Sequence, residues 1–457
     1  MRLEFHGGAG AITGSHTVLD TGRGRIGIDA GMFQGGEKLE ELNWRGFGND
    51  GSGLRALLLT HSHIDHSGRV PLLVKNGFRG PILTTAASAD LCDLMLRDSA
   101  HLMEEQATHE SRHPDQGRPR PLLYDERDVE RALGLVRPVR YGEPVDAAGV
   151  RVRFQDAGHI LGSALLEMDL GGRTLVMSGD LGRPGSPILR DPETVTEADF
   201  LVLESTYGDR EHADKADRGR RLFDIVRETL GRGGNVVIPA FAVGRAQDLL
   251  YELNAYAEKG LLRGVPVFVD SPMAISASEI YRRHPECFDA DTRALLSRGD
   301  DPLSFPGIRF TRSKEESKAI NGLREPHIII SASGMCTGGR VVHHLAQNLE
   351  RPESTILFVG YQAEGTTGRR IKDGAKRIRL FGKEFESRAR VEVLDSFSAH
   401  ADRSELLDWL GRFKRFPALV FLNHGEENSS ASLAEAIRAR FGADVKVPAM
   451  GSKVELG

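Results

Sequence analysis

Four potential metal ligands stand within six positions at His61-Ser62-His63-Ile64-Asp65-His66, directly after the apolar run Ala56 to Leu59. Imidazoles this crowded repel one another when protonated and waste polar surface when buried, unless a cation takes up their lone pairs. Isolated histidines such as His6, His16 and His212 carry no such argument and read as ordinary core or surface residues. Further donors follow other apolar runs: His159 after Val150 to Phe154, Asp180 after Thr174 to Met177, and Glu204 after Phe200 to Leu203. His400 follows Val391 to Leu394, and His424 follows Leu419 to Leu422. Polar residues end strands in many proteins, but this many donor-bearing ends beside one His-x-His-x-Asp-His exceed coincidence. If those strands share one sheet edge, the side chains converge on a single site. Neutral imidazoles and carboxylates suit Zn2+, and the same donors also suit Mn2+ or Fe2+.

The elements that must position these residues are legible as short β-branched or Leu-rich runs, separated by Gly/Asp/Ser corners and helical patterns. Strands are expected at Arg2 to Phe5, Thr17 to Asp20, Arg25 to Asp29 and Leu54 to Thr60, followed by a helix over Ser88 to Glu105. The polar, Pro-bearing stretch His109 to Pro121 reads as a loop. After Glu204 three strand–corner–helix units succeed one another. Their strands are Gly234 to Ile238, Val265 to Val269 and His327 to Ile330, and three in a row predict a parallel sheet with helices on its faces. Short strands return at Arg390 to Leu394 and Pro417 to Leu422, so the simplest organisation is one domain interrupted by an inserted second.

The chain has 457 residues, 40% hydrophobic and 27% charged, with no apolar run near the roughly 20 residues that span a bilayer. Met1 to Gly8 has neither a basic start with an apolar stretch nor a small-residue cleavage site, so a cytoplasmic location is expected. Cys92, Cys287 and Cys336 are odd in number and far apart, which fits neither a disulfide framework nor a cysteine zinc site. Sixty Lys and Arg against 65 Asp and Glu give a net charge of −5, so any polyanion site must be local.

His61-Ser62-His63-Ile64-Asp65-His66 with His159, Asp180 and His424 resembles the metallo-β-lactamase superfamily. The insert, opened by Glu204-Ser205-Thr206-Tyr207-Gly208 and closed by Phe397-Ser398-Ala399-His400-Ala401-Asp402, resembles its β-CASP branch of nucleic-acid nucleases. The likeness is nearest to bacterial and archaeal relatives of the endonuclease subunit of the cleavage and polyadenylation specificity factor, and it extends over essentially the whole chain. It implies an α/β fold: an αββα sandwich with an inserted parallel-sheet domain. Residues 1–205 and 386–457 would form the sandwich and 206–385 the insert. It further implies that His61, His63 and His159 bind one zinc, that Asp65, His66 and His424 bind a second, and that Asp180 bridges. Asp29 would support the metal loop without binding metal. His400 matches the proton donor to the leaving oxygen and Glu204 the carboxylate that keeps it protonated, so His400, Glu204 and Asp65 are the expected catalytic residues.

The implied activity is a two-zinc endoribonuclease acting on single-stranded RNA, and a homo-oligomer is left open. His424 favours RNA, because the DNA-repair branch usually lacks a histidine there. Between Arg369 and Arg390 nine Lys/Arg face three Asp/Glu, which nominates Arg377 and Arg379 for the phosphate backbone. The corner Ser331-Ala332-Ser333-Gly334 offers hydroxyls and N–H groups at an expected helix start, so Ser331, Ser333 and Gly334 are candidates for a phosphate. The competing readings are a small-substrate hydrolase of lactamase or thioesterase type, which needs no such insert, and a non-catalytic RNA-binding scaffold, which would not keep every ligand.

Overall fold

The computed structural model describes residues 1–45, 51–112, 121–212 and 217–457. Contacts divide the chain into two compact units: residues 1–185, 190–211 and 400–457, and residues 186–189 with 212–399.

The first unit holds two seven-stranded sheets. One runs Lys453–Glu455, Arg2–Gly7, His16–Asp20, Arg25–Ile28, Leu54–Leu58, Ile82–Thr85, Val136–Val139. The other runs Val445–Lys446, Leu419–Asn423, Phe200–Glu204, Thr174–Met177, Ala164–Asp169, Val150–Asp156, Pro144–Ala147. Side-chain alternation explains the layering. In Val150–Asp156, Val150, Val152 and Phe154 are buried while Arg151 and Arg153 face water, the period-two pattern of a strand with one wet face. Phe200–Glu204 is buried throughout, as a strand covered on both faces must be. Phe5, Leu19 and Leu58 of one sheet pack against Phe154, Leu166, Val202 and Phe421 of the other. Outside them, Leu57 and Leu59 meet Leu73, Leu96 and Val129 from helices, and Leu201 and Leu203 meet Leu406, Trp409 and Leu433. The result is a helix–sheet–sheet–helix sandwich.

Strand direction is what assembles the site. Thr174–Met177, Phe200–Glu204 and Leu419–Asn423 run parallel, and Glu204 lies opposite Asn423. Val150–Asp156 joins them in the same sense through the antiparallel strand Ala164–Asp169. His159, Asp180, Glu204 and His424 therefore leave one edge of the second sheet, while His61 follows a strand of the first.

The second unit is built on a six-stranded parallel sheet in the order Ile308–Phe310, Val267–Val269, Ile328–Ser331, Val236–Pro239, Thr355–Phe358, Arg390–Val393. The three expected strand–corner–helix units are present, with helices Arg245–Glu258, Pro272–Arg283 and Arg340–Asn348. A hairpin, Arg377–Leu380 with Lys383–Glu386, packs Ile378 and Leu380 into the core shared with Val341 and Leu345. Asp270, fully buried at the end of Val267–Val269, takes hydrogen bonds from His344 (2.6 Å), Arg340 (2.7 Å), Thr311 (2.6 Å) and Ser317 (2.6 Å).

Two expectations need correction. The strand leading to His400 pairs with Thr355–Phe358, so residues 386–399 belong with the insert. Val391 and Val393 pack against the apolar cluster of that unit, which decides the matter. The helix over Ser88 to Glu105 continues to Arg112, so the expected loop begins later, and residues 113–120 lie outside the described residues. Among the described residues no helix is long and apolar enough to cross a membrane.

His16 carries a stability prediction. Its ring is buried, its Nδ1–H donates to the Asp29 carbonyl at 2.6 Å, and burial holds its pKa down at about 3 against an ordinary 6.5. The unfolded chain therefore takes up a proton below pH 6.5 that the folded chain refuses until about pH 3. That contribution is complete above pH 6.5 and is lost as pH falls, at about 1.4 kcal/mol per pH unit. In thermal melts from pH 7.5 to 4.5, His16→Gln is expected to lose less Tm than the parent protein; equal losses would refute the assignment.

Candidate metal centre

The metal loop is held by its backbone before any side chain acts. Ser15 N donates to Asp65 O (2.8 Å), Ala30 N to His66 O (2.8 Å) and Met32 N to Ile64 O (2.8 Å). This contact admits only glycine at position 31, where a Cβ would fall 1.6 Å from the Asp65 carbonyl oxygen. So fixed, the turn after Leu54–Leu58 and the short helix Ile64–Ser67 present His61, His63, Asp65 and His66 together.

Two donor groups result. In the first, His63 Nδ1 stands 3.2 Å from His61 Nε2 and 3.2 Å from His159 Nε2, and both Nε2 atoms lie 3.5 Å from Asp180 Oδ2. In the second, His66 Nε2 stands 3.0 Å from His424 Nε2 and 3.2 Å from Asp180 Oδ1, with Asp65 Oδ2 3.5 Å from His424 Nε2. Two ligands at about 2.1 Å from one tetrahedral cation stand about 3.4 Å apart, so these spacings are those of a coordination shell. Asp180 gives one oxygen to each group. It is 1% exposed, and neither oxygen accepts a hydrogen bond.

Electrostatics agree with that reading. Burial pushes His61 well below its ordinary pKa and His63 down to about 4, keeping both imidazoles neutral. Burial opposes ionisation of Asp180, yet His424, His66 and His400 outweigh it and hold the carboxyl well below its usual range. Neutral imidazoles around an ionised carboxylate are the forms a divalent cation needs. His66 differs. Burial alone would lower it, but Asp180 and Asp29 raise it well above the ordinary value, so metal binding there displaces a proton.

A second ring of contacts orients the ligands. Asp29 Oδ2 accepts from His66 Nδ1 at 2.7 Å, and Thr60 donates to Asp29 from its N (2.8 Å) and Oγ1 (3.0 Å). Thr60 Oγ1 also lies 3.1 Å from His61 Nδ1, and Thr206 Oγ1 3.2 Å from His424 Nδ1. A carboxylate behind a ligating histidine fixes the tautomer and ring orientation. Thr60 and Thr206 were not singled out in the sequence reading, although Thr60 adjoins His61 and Thr206 lies two residues after Glu204.

His400 reaches the site by a route the sequence did not indicate. No strand of the sandwich delivers it; Ala401 N donates to Leu181 O (2.8 Å), and Arg183 Nε pairs with Glu405 (3.0 Å) in the first turn of Arg403–Leu410. These bonds tie the loop after Asp180 to the segment carrying His400. Its Nδ1 lies 3.1–3.2 Å from both Glu204 oxygens and 3.9 Å from Asp180, so that nitrogen is committed to Glu204. Glu204 is itself buried and accepts from Leu181 N (2.5 Å). Burial works against the imidazolium, but Glu204 and Asp180 outweigh it and raise the pKa to about 9. The His400 side chain is 21% exposed, against 6% or less for His61, His66, His159 and His424.

The five remaining selected residues lie in the second unit. Ser331 is buried and spends its hydroxyl on the Asp270 carbonyl (2.8 Å), so it offers nothing to a phosphate. The helix after this corner starts at Arg340, six residues beyond Gly334, so its first N–H groups are not those of Ser333 and Gly334, and Ser333 Oγ accepts from Thr337 N (3.2 Å) within the corner. A Cβ at Gly334 would come 3.0 Å from the Phe241 backbone nitrogen. Arg377 and Arg379 share the exposed face of the hairpin with Glu386 and Glu384, and Arg377 pairs with Glu384 at 3.4 Å.

Comparison with known proteins places these features in context. Residues 10–218 match the metallo-beta-lactamase superfamily, 246–371 the Beta-Casp domain and 385–448 the Zn-dependent metallo-hydrolase RNA specificity domain. The chain is 38% identical over 454 residues to ribonuclease TTHA0252 of Thermus thermophilus, covering 99% of this chain and 100% of that one. It is 33% identical to transcription termination factor FttA of Methanosarcina mazei, covering 96% of this chain and 69% of the relative. A crystal structure of a protein of unknown function from Enterococcus faecalis V583 aligns over 99% of both chains at TM-score 0.57 and 12% identity, a likeness of fold.

Two substitutions separate ligand from support. Asp180→Ala is expected to abolish tight metal binding, because both donor groups lose an oxygen. Asp29→Ala should weaken it by about 10- to 100-fold. Chelator competition with elemental analysis reads both, and an Asp29 variant with parental affinity would remove that residue from the site.

Proposed function

Because the chain belongs to the β-CASP family of the metallo-β-lactamase superfamily, we propose that it is a zinc-dependent endoribonuclease leaving 5′-phosphate and 3′-hydroxyl ends. The observation that carries the reading is the complete pair of donor groups sharing Asp180 beside a separate His400–Glu204 pair. Two divalent cations held by His61, His63 and His159 and by Asp65, His66 and His424, with Asp180 common to both, would activate water and draw charge from a phosphoryl oxygen.

The chain's own residues then complete the step. Water attacks phosphorus and gives up a proton to solvent, the P–O3′ bond breaks, and the proton the leaving oxygen needs comes from His400, which takes one back from solvent afterwards. With Nδ1 engaged by Glu204, Nε2 is the nitrogen that gives it. An RNA substrate is supported by the RNA specificity domain matched at 385–448 and by a ribonuclease among the relatives. Ser333, Gly334 and Arg379 remain the proposed backbone contacts of the second unit, and Arg377 contributes once Glu384 releases it. A small-substrate hydrolase is disfavoured because it leaves the whole Beta-Casp unit without a purpose.

The proton donor has a signature distinct from a ligand. His400→Ala should keep metal and RNA binding while cleavage drops by about 10²–10⁴-fold. His424→Ala should lose metal and cleavage together. An RNA carrying sulfur at the bridging 3′ position, a better leaving atom, should rescue the first variant and not the second. His400 must be protonated to act, so activity falls as pH rises through its pKa, and the alkaline limb lies between the ordinary histidine range and about 9. Glu204→Gln should move that limb toward acid. Loss of zinc from His400→Ala, or 2′,3′-cyclic phosphate among the products, would overturn the mechanism.

A further inference from the structure

The hairpin of the second unit closes through Phe381-Gly382, flanked by the pair Leu380 and Lys383. Both turn residues have positive φ, 50° at Phe381 and 76° at Gly382, as a two-residue type I′ turn requires. The first position of such a turn favours Asn, Asp or Gly; a bulky aromatic there is uncommon and carries a conformational cost. Burial does not offset it. Phe381 is 57% exposed, the most exposed large apolar side chain among the described residues. Its ring lies on that of His343, itself exposed on helix Arg340–Asn348, with centroids 4.5 Å apart and planes at 29°.

The surroundings are cationic. Lys376, Arg379 and Lys383 are exposed and form no ion pair among the described residues, whereas Arg377 and Arg388 are matched by Glu384 and Glu386. An exposed aromatic at the tip of a hairpin whose strands carry Arg379 and Lys383, with Lys376 at its open end, does not resemble the core of a protein interface, which is depleted of charge. It has the parts of a single-strand platform: a flat face for a base and cations for the adjoining phosphates.

We propose that Phe381, backed by His343, stacks a base of single-stranded RNA while Lys376, Arg379 and Lys383 hold the neighbouring phosphates. This rests on the reading of the protein as a ribonuclease and adds a specific contact to it. The platform selects unpaired RNA, because a base inside a duplex has no free face to offer. It is tolerant of sequence, because every base has one.

The test uses the full chain carrying His400→Ala, so that RNA persists, and measures binding of a fluorescent single-stranded oligoribonucleotide. Phe381→Ala should weaken binding by about 5- to 100-fold, the worth of one stacked base, and Phe381→Trp should restore it. Phe381→Asn should weaken binding equally while leaving Tm unchanged or raised, since Asn suits the turn. Replacing the bases one at a time by abasic sites should identify one position whose loss weakens the parent but not Phe381→Ala. Failure of the parent to bind RNA would remove the ribonuclease reading itself. A parent that binds, with Phe381→Ala matching it, would overturn the platform alone. So would a Phe381→Ala variant whose only change is its sedimentation, which would make the face a contact between copies.

Discussion

Everything in the first unit is arranged around one costly act, the burial of the Asp180 carboxylate with neither oxygen hydrogen-bonded. Removing an ion from water costs several kcal/mol even after the protein relaxes, and only close, well-placed positive charge repays it. Among the described residues no arginine or lysine is brought to Asp180; imidazole nitrogens of His61, His66, His159 and His424 are, at 3.2–3.5 Å. Protonating all of them would repel as strongly as it attracts. A shared cation is the economical solution, and the donors already stand at coordination spacing.

That demand explains features that otherwise look arbitrary. Five donor loops must arrive at one place, so the strands of the second sheet bearing His159, Asp180, Glu204 and His424 all run in one sense. Gly31 gives the metal loop room to lie against its neighbour. Asp29 holds a ligand it does not replace, and is itself held by Thr60 and Ser15. Precision at the centre depends on bonds one layer out.

The sequence disclosed the donors better than their delivery. His61 to His66 is legible because its density has no structural explanation, and the strand ends at Met177, Leu203 and Leu422 are legible because apolar runs stop there. Which strand belongs to which sheet is a matter of long-range pairing, and it misled at two places. Arg390–Val393 precedes His400 by a few residues yet pairs inside the other unit, and Ser331 has the composition of a phosphate cradle yet points at Asp270. Local composition does not say which face of a corner is buried. Within the basic run Arg369 to Arg390, antiparallel pairing sets Glu386 opposite Arg377 and Glu384 opposite Arg379, an arrangement that composition alone does not show.

Histidine takes several electrostatic states within this one fold, and the reason lies in the atoms each ring faces. His16 gives its Nδ1–H to a carbonyl, which accepts a proton bond without supplying a full charge, and burial keeps the ring neutral. His61 and His63 face other imidazoles and stay neutral for the same reason, leaving lone pairs for a cation. His400 faces the Glu204 carboxylate, which also accepts from the Leu181 N–H, and is held protonated. The proposed hydrolysis would need both kinds at once: ligands that have given up their protons and an acid that has kept one. Had His400 turned its Nδ1 toward Asp180 instead of Glu204, it would have joined the ligands and left the leaving oxygen without a donor. The ion pair of Arg183 with Glu405 and the bond from Ala401 to Leu181 hold the segment that prevents this. The division of labour among chemically identical side chains is thus set by how the segment around each ring is held, for His400 at Ala401 and Glu405.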